Sequence, residues 1–172
     1  YQGTSIGGTS AGLAIMGEFL FSAKKGTITS SQALNNPLDS KISIERSFYN
    51  TPALKHIITD SHYSQRNREG RLLTFMARAQ SKYQLKGIFG LGIDEQTSLI
   101  LNNDKMISYG RGHSSLYLSE SIPAIGNKPL TFGPIYKIKL KTNFIYPPYD
   151  SMDFPKDVSL QVLSGTVYQT AR

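Results

Sequence analysis

Ser10 stands in Gly8-Thr9-Ser10-Ala11-Gly12, a G-x-S-x-G pattern between a short β-prone stretch and a helix-like one. Such a pattern suits a serine held on a tight strand-to-helix turn with its hydroxyl exposed. An unassisted hydroxyl is a weak nucleophile near neutral pH, so the chain must also supply a base, an orienting acid and donors for an oxyanion. The histidines are His56, His62 and His113. His62 follows the end of a strand-like run and precedes a polar, arginine-bearing turn, which makes it the best-placed base. His56 reads as structural or solvent-facing, and His113 lies in the glycine-rich turn Tyr109-Gly110-Arg111-Gly112-His113. For the acid, Asp60, Asp94 and Glu95 all stand near strand ends, and spacing alone does not rank them. The Ala11 backbone N–H, opening the next helix, is the natural first oxyanion donor.

Other chemistries fit less well. His62 with Asp60, Asp94 or Glu95 has metal-ligating types but no H-E-x-x-H or other distinctive spacing. Gly7, Gly8 and Gly12 lack the Lys-Ser/Thr tail of a phosphate-binding loop. With no cysteine in 172 residues, disulfides, thiolate ligands and cysteine nucleophiles are excluded. The net charge of +7 is spread out. Lys137, Lys139 and Lys141 alternate with Ile138 and Leu140, as on the solvated side of a strand. The denser group, Arg66, Arg68 and Arg71, suits an anionic small molecule or peptide better than nucleic acid. No apolar run is long enough for a membrane-spanning helix. The chain starts at Tyr1 without a basic and apolar leader, so an upstream segment, an export signal included, is expected to lie outside it. A soluble protein, cytoplasmic or secreted, follows, with the compartment open.

The length suits one domain with a sizeable core. Residues 4 to 6 read as a strand end and Ala11 to Ala23 as a helix, with Leu13, Met16 and Leu20 on one stripe. Gly26 to Pro52 reads as a polar surface excursion with a short helical turn. Strands are expected at 54–60, 87–95 and 97–103, at two pieces flanking Gly110 to Gly112, over Pro134 to Ile145 and at 158–163. A helix over Arg68 to Gln80 would bury Leu72, Phe75, Met76 and Ala79. Early α/β character followed by β character predicts a partly parallel sheet with added antiparallel strands. An elbow needs strands on both sides, yet almost nothing precedes this one.

Three stretches, "GGTSAG" at 7–12, "DSHYSQRNREGRLL" at 60–73 and "GLGIDEQTSL" at 90–99, together resemble the cyanophycinase-type branch of the S51 serine peptidases. The resemblance spans about the first 120 residues. It implies an α/β fold, flavodoxin-like and class I glutamine amidotransferase-like, whose parallel sheet carries additional antiparallel strands and here lacks its N-terminal half. Residues 1–172 would then be the C-terminal portion of a single hydrolytic domain, its upstream part supplied by a companion fragment or a missing segment. The resemblance puts Ser10 on the nucleophile, His62 on the base and Glu95 on the acid. It puts Asp60, Arg66, Arg68 and Arg71 on pocket or scaffold positions, with Gln65 a weaker pocket candidate. Ser61 stands where the family usually has glutamine, a shorter side chain that removes an amide donor and acceptor.

The expected activity is serine-type exopeptidase or isopeptidase cleavage of aspartyl or β-aspartyl-arginine-like material through an acyl-enzyme, with no cofactor and no metal. Guanidinium groups suit the carboxylates of such a substrate. A homodimer of the assembled enzyme stays open as a further partner, whereas nucleic acid and membrane are not expected. The contrasting class is a non-catalytic peptide-binding or assembly subunit that keeps the scaffold.

Overall fold

The computed structural model describes residues 4–49, 52–102, 105–155 and 158–171. Two isoleucine-bearing runs, β3 (Ile57–Ser61) and β4 (Ile88–Ile93), pair in parallel at the centre of an eight-stranded sheet. β1 (Phe19–Phe21) extends the parallel part beside β3, and β2 (Ile44–Arg46) closes that edge antiparallel to β1. On the other side β7 (Ser114–Ser119), β8 (Phe132–Leu140), β10 (Val158–Leu163) and β11 (Thr166–Ala171) follow one another, all antiparallel. The order is β11-β10-β8-β7-β4-β3-β1-β2. β5 (Thr97–Leu101), β6 (Met106–Gly110) and β9 (Phe144–Tyr146) form a separate three-stranded sheet.

Successive residues of a strand face opposite sides, so central strands covered on both faces read as unbroken apolar runs. Ile57 and Ile58 are both fully buried, one in each of two core clusters. Leu116 and Tyr117 on β7 divide in the same way. One face packs under α3 (Glu69–Tyr83), which buries Leu72, Leu73, Phe75, Met76 and Ala79, and under α2 (Ser30–Asn35). The helical turn expected in the surface excursion is α2, started by a reciprocal cap between Thr29 and Gln32. Its Ala33 and Leu34 are core residues rather than surface ones.

Several expectations are corrected. Residues 4 to 6 are not a strand, since no described strand lies beside them to pair with their backbone. The helix expected over Ala11 to Ala23 is the single turn α1 (Ala11–Ala14), followed by β1. Gly17 marks the change: a Cβ there would stand 2.5 Å from the Ile57 carbonyl oxygen, a close crossing that only glycine permits. Beyond it Phe19, Leu20 and Phe21 are all buried, because both faces of that strand are covered. Finally, β2 and β11 were not expected, since neither carries a clear alternation and each exists through pairing with a neighbour. The strand expected at 97–103 ends at Leu101, and position 103 lies outside the described residues.

Glycine is also needed where β4 passes Tyr63. A Cβ at Gly92 would overlap the buried ring, with Cγ 2.5 Å away. Gly92→Ala is therefore expected to lower unfolding free energy by about 1–3 kcal/mol through overpacking. Gly126→Ala, which meets nothing within 4 Å, should leave it unchanged. Urea titration of both variants checks the pair.

Candidate active site

The turn carrying Ser10 is built by two contacts. A Cβ at Gly8 would lie 2.5 Å from the Gly12 backbone, so the chain can double back there only with glycine. The Thr59 hydroxyl donates to the Leu13 carbonyl at 2.6 Å, tying α1 to the middle of β3. Ser10 itself has φ 52° and ψ −117°, a backbone conformation that L-residues rarely hold and that strained functional turns use. Its side chain does not cap α1 and is left for other partners. As the first helical residue, Ala11 has an N–H without an intrahelical acceptor.

His62 follows directly on β3 and Glu95 lies two residues beyond β4. Parallel pairing sets Ser61 opposite Ile93, so both follow-on segments leave the sheet at the same level. His62 Nε2 lies 2.9 Å from Ser10 Oγ, and His62 Nδ1 lies 2.7 Å from Glu95 Oε1. A carboxylate can only accept, so Nδ1 carries the proton toward Glu95 and Nε2 accepts from the serine hydroxyl. The imidazole is half-buried, while Ser10 and the Glu95 carboxylate are exposed. The group can move a proton from the hydroxyl to an imidazole whose cation a carboxylate steadies.

The remaining candidates divide sharply. Asp60, 2% exposed, accepts from Arg71 Nε at 2.7 Å and Nη2 at 2.6 Å, from Arg68 Nη1 at 3.2 Å and from the Ser61 N–H at 2.9 Å. Arg71, 6% exposed, also reaches the Ile28 carbonyl and lies over the rings of Phe21 and Phe75. Arg68 donates to the Ser61 carbonyl at 2.7 Å. Burial lowers its pKa while Asp60 opposes that shift. Asp60, Arg68 and Arg71 are thus committed to one another beneath the loop, and the buried Ser61 contributes backbone groups to them. Of the pocket and scaffold readings that the resemblance left open for Asp60, Arg68 and Arg71, these internal contacts fit the scaffold one. Gln65 is exposed, and its Oε1 accepts the Glu95 N–H at 3.0 Å. Arg66 is exposed, and among the described residues its guanidinium has no hydrogen bond or ion pair.

Asp94 was a candidate acid, but it does not approach His62. Its Oδ1 accepts the Ser64 N–H at 2.9 Å and its Oδ2 the His113 N–H at 3.0 Å. Burial pushes the Asp94 carboxyl up, but the hydrogen bonds from Ser64 and His113 outweigh it and hold the pKa below the ordinary value. His113 is fixed through its backbone in this clamp, and His56 donates its backbone N–H to Glu18 at 2.7 Å. Among the described residues no group of three or more His, Asp or Glu is arranged to hold a metal ion. No described helix is long and apolar enough to cross a membrane. A cavity of about 430 Å³ opens at the other end of β4, between His56, Phe89, Glu120 and Phe154, and includes none of Ser10, His62 and Glu95.

Sequence reasoning missed Thr59 as the anchor of α1 and the buried pair Tyr63–Tyr117, whose hydroxyls meet at 2.8 Å. Tyr117 in turn donates to Glu69 at 2.6 Å. A tyrosine next to the candidate base, in a run otherwise polar, was the one available signal.

No family model matches the sequence. Over 109 residues the chain is 28% identical to a cyanophycinase of Geminocystis herdmanii, a stretch covering 63% of this chain and 34% of that relative. The chain thus matches about a third of the relative's length. It is distantly similar to a peptidase-like protein.

Arg71→Met would leave the Asp60 carboxylate buried with only the 3.2 Å contact from Arg68 and the Ser61 N–H, and a loss of about 3–5 kcal/mol of stability is expected on denaturant unfolding. The depressed Asp94 carboxyl stabilises the fold fully above the unfolded carboxylate range and loses that contribution as pH falls from about 4 through its lower folded value. The stability difference between wild type and Asp94→Asn should therefore shrink as pH is lowered through that window, as urea titrations at several pH values would record.

Proposed function

We propose that this chain carries a serine-type hydrolytic centre, an exopeptidase or isopeptidase acting on aspartyl or β-aspartyl-arginine-like peptide material. The observation that carries the reading is one imidazole bonded on both sides, to Ser10 Oγ at 2.9 Å and to Glu95 Oε1 at 2.7 Å. The distant likeness to a cyanophycinase supports the reaction class. In this reading Ser10 attacks the substrate carbonyl while His62 takes its proton, forming a tetrahedral adduct that becomes an acyl-enzyme when the amine leaves. His62 then protonates the leaving amine, and a water activated by the same imidazole releases the acid. The Ala11 N–H faces the developing oxyanion. The exposed guanidinium of Arg66, four residues past His62, receives a carboxylate of the substrate.

The parallel run β1-β3-β4, with Ser10 on a turn and His62 and Glu95 past the strand ends, supports reading the sheet as part of a flavodoxin-like layout. Ligands of open parallel sheets gather past the carboxyl ends of the strands, and these groups stand there. On this reading the chain forms part of a larger hydrolytic unit that includes an upstream segment.

Incubation with a fluorophosphonate probe, followed by peptide mass mapping, tests the centre without knowledge of the substrate. An adduct on the peptide containing Ser10 is expected, absent in Ser10→Ala and strongly reduced in His62→Ala, with unchanged far-UV circular dichroism. Hydrolysis of β-aspartyl-arginine, measured alongside, should disappear in Ser10→Ala. A folded protein that neither labels at Ser10 nor hydrolyses the dipeptide would overturn the proposal.

A further inference from the structure

Three successive residues after His62 meet three successive residues that end on Glu95. The Tyr63 N–H donates to the Ile93 carbonyl at 3.2 Å. The Ser64 N–H donates to the Asp94 carboxylate at 2.9 Å. In the third rung the direction reverses, and the Glu95 N–H donates to the side chain of Gln65 at 3.0 Å. The first two rungs hold the backbone on either side; only the third touches Glu95 itself.

Glu95 needs such a hold. It lies outside β4 in a turn, followed by Gln96 with φ 54°. Its carboxylate is exposed and among the described residues bonds only His62, and its carbonyl takes a long 3.2 Å contact from the Thr97 hydroxyl. The His62 side is already rigid: the Arg66 N–H returns to the His62 carbonyl at 3.1 Å, and the Arg68 N–H to the Tyr63 carbonyl at 3.0 Å. Gln65 therefore projects from a closed, braced loop and fixes the main chain of the residue that orients the imidazole.

We propose that Gln65 is a positioning residue, setting the Glu95 carboxylate beneath His62 Nδ1 and thereby choosing the imidazole tautomer. Its catalytic meaning rests on the hydrolase reading, but the positioning itself does not. The Gln65 side-chain oxygen is occupied by the Glu95 N–H, so the role assigned here differs from the substrate contact expected from sequence. Glutamine and glutamate both supply an acceptor at this reach, whereas alanine supplies none.

The test is the tautomer of His62, read from its two ring-nitrogen chemical shifts by long-range proton–nitrogen NMR on the neutral imidazole, with His62→Ala assigning the signals. The wild type is expected to be mainly the Nδ1–H form, since the other nitrogen accepts from Ser10. Gln65→Ala should move the population toward the Nε2–H form, and Gln65→Glu should restore it. An unchanged tautomer in Gln65→Ala, equal behaviour of the two variants, or a wild type mainly in the Nε2–H form would each overturn the proposal. Where hydrolysis is measurable, Gln65→Ala should lower kcat between about ten- and a hundredfold with KM little changed. A raised KM with kcat intact would mean that Gln65 contacts substrate instead, and would overturn it. A protein that hydrolyses nothing but shows the tautomer shift refutes the hydrolase reading and leaves the positioning role standing.

Discussion

The parallel pairing of β3 with β4 holds Ser61 opposite Ile93, and from that register the geometry of the candidate site follows. His62 and Asp94 leave the sheet side by side, so the loop after one can bond the loop after the other. A slip of one residue would carry each strand's side chains into the opposite core cluster and separate His62 from Glu95. The register is defended from both faces. The two isoleucines are fully buried in different clusters, and the glycines of β4 admit Met76 at Gly90 and Tyr63 at Gly92. Packing that looks remote from the chemistry is thus what determines where the imidazole and the carboxylate meet.

A second constraint lies beneath the first. Asp60 occupies the next-to-last position of β3, buried, with a bidentate arginine from α3 and a second arginine from the start of that helix. A carboxylate buried in this way costs little only while its partners stay in place. The arrangement therefore couples the end of β3, the loop 62–68 and the first turn of α3 into one unit. Arg71 extends the unit to Ile28, so the segment before α2 is drawn in as well.

The sequence made some of this legible. Ser10 was visible because Gly8 and Gly12 mark a turn, and His62 because a strand-like run ends just before it. Glu95 was one of three acids until a resemblance singled it out, and the structure puts it, rather than Asp60 or Asp94, beside the imidazole. The arginines stayed open between pocket and scaffold for a physical reason: a cluster of charge looks the same in sequence whether it faces a ligand or a buried carboxylate. Only burial separates Arg66, exposed, from Arg71. The shortness of α1 was hidden because Gly17 acts through a contact with Ile57, forty residues away in the chain. Strands β2 and β11 were hidden likewise, since an edge strand owes its form to its neighbour. Local pattern carried the central strands and α3, where propensity and burial agree.

Ser10 and His62 are 52 positions apart along the chain and 2.9 Å apart in space. In a disordered chain, closing a loop of that length costs roughly 3.5 kcal/mol beyond a fixed term, so the two groups would meet only as a rare encounter. The folded sheet acts as a concentrator, giving the hydroxyl a neighbouring base at an effective molarity that no dissolved imidazole could match. Any unusual nucleophilicity of this serine is consequently an emergent property of long-range order, present in the native ensemble and extinguished, all at once, when that ensemble melts.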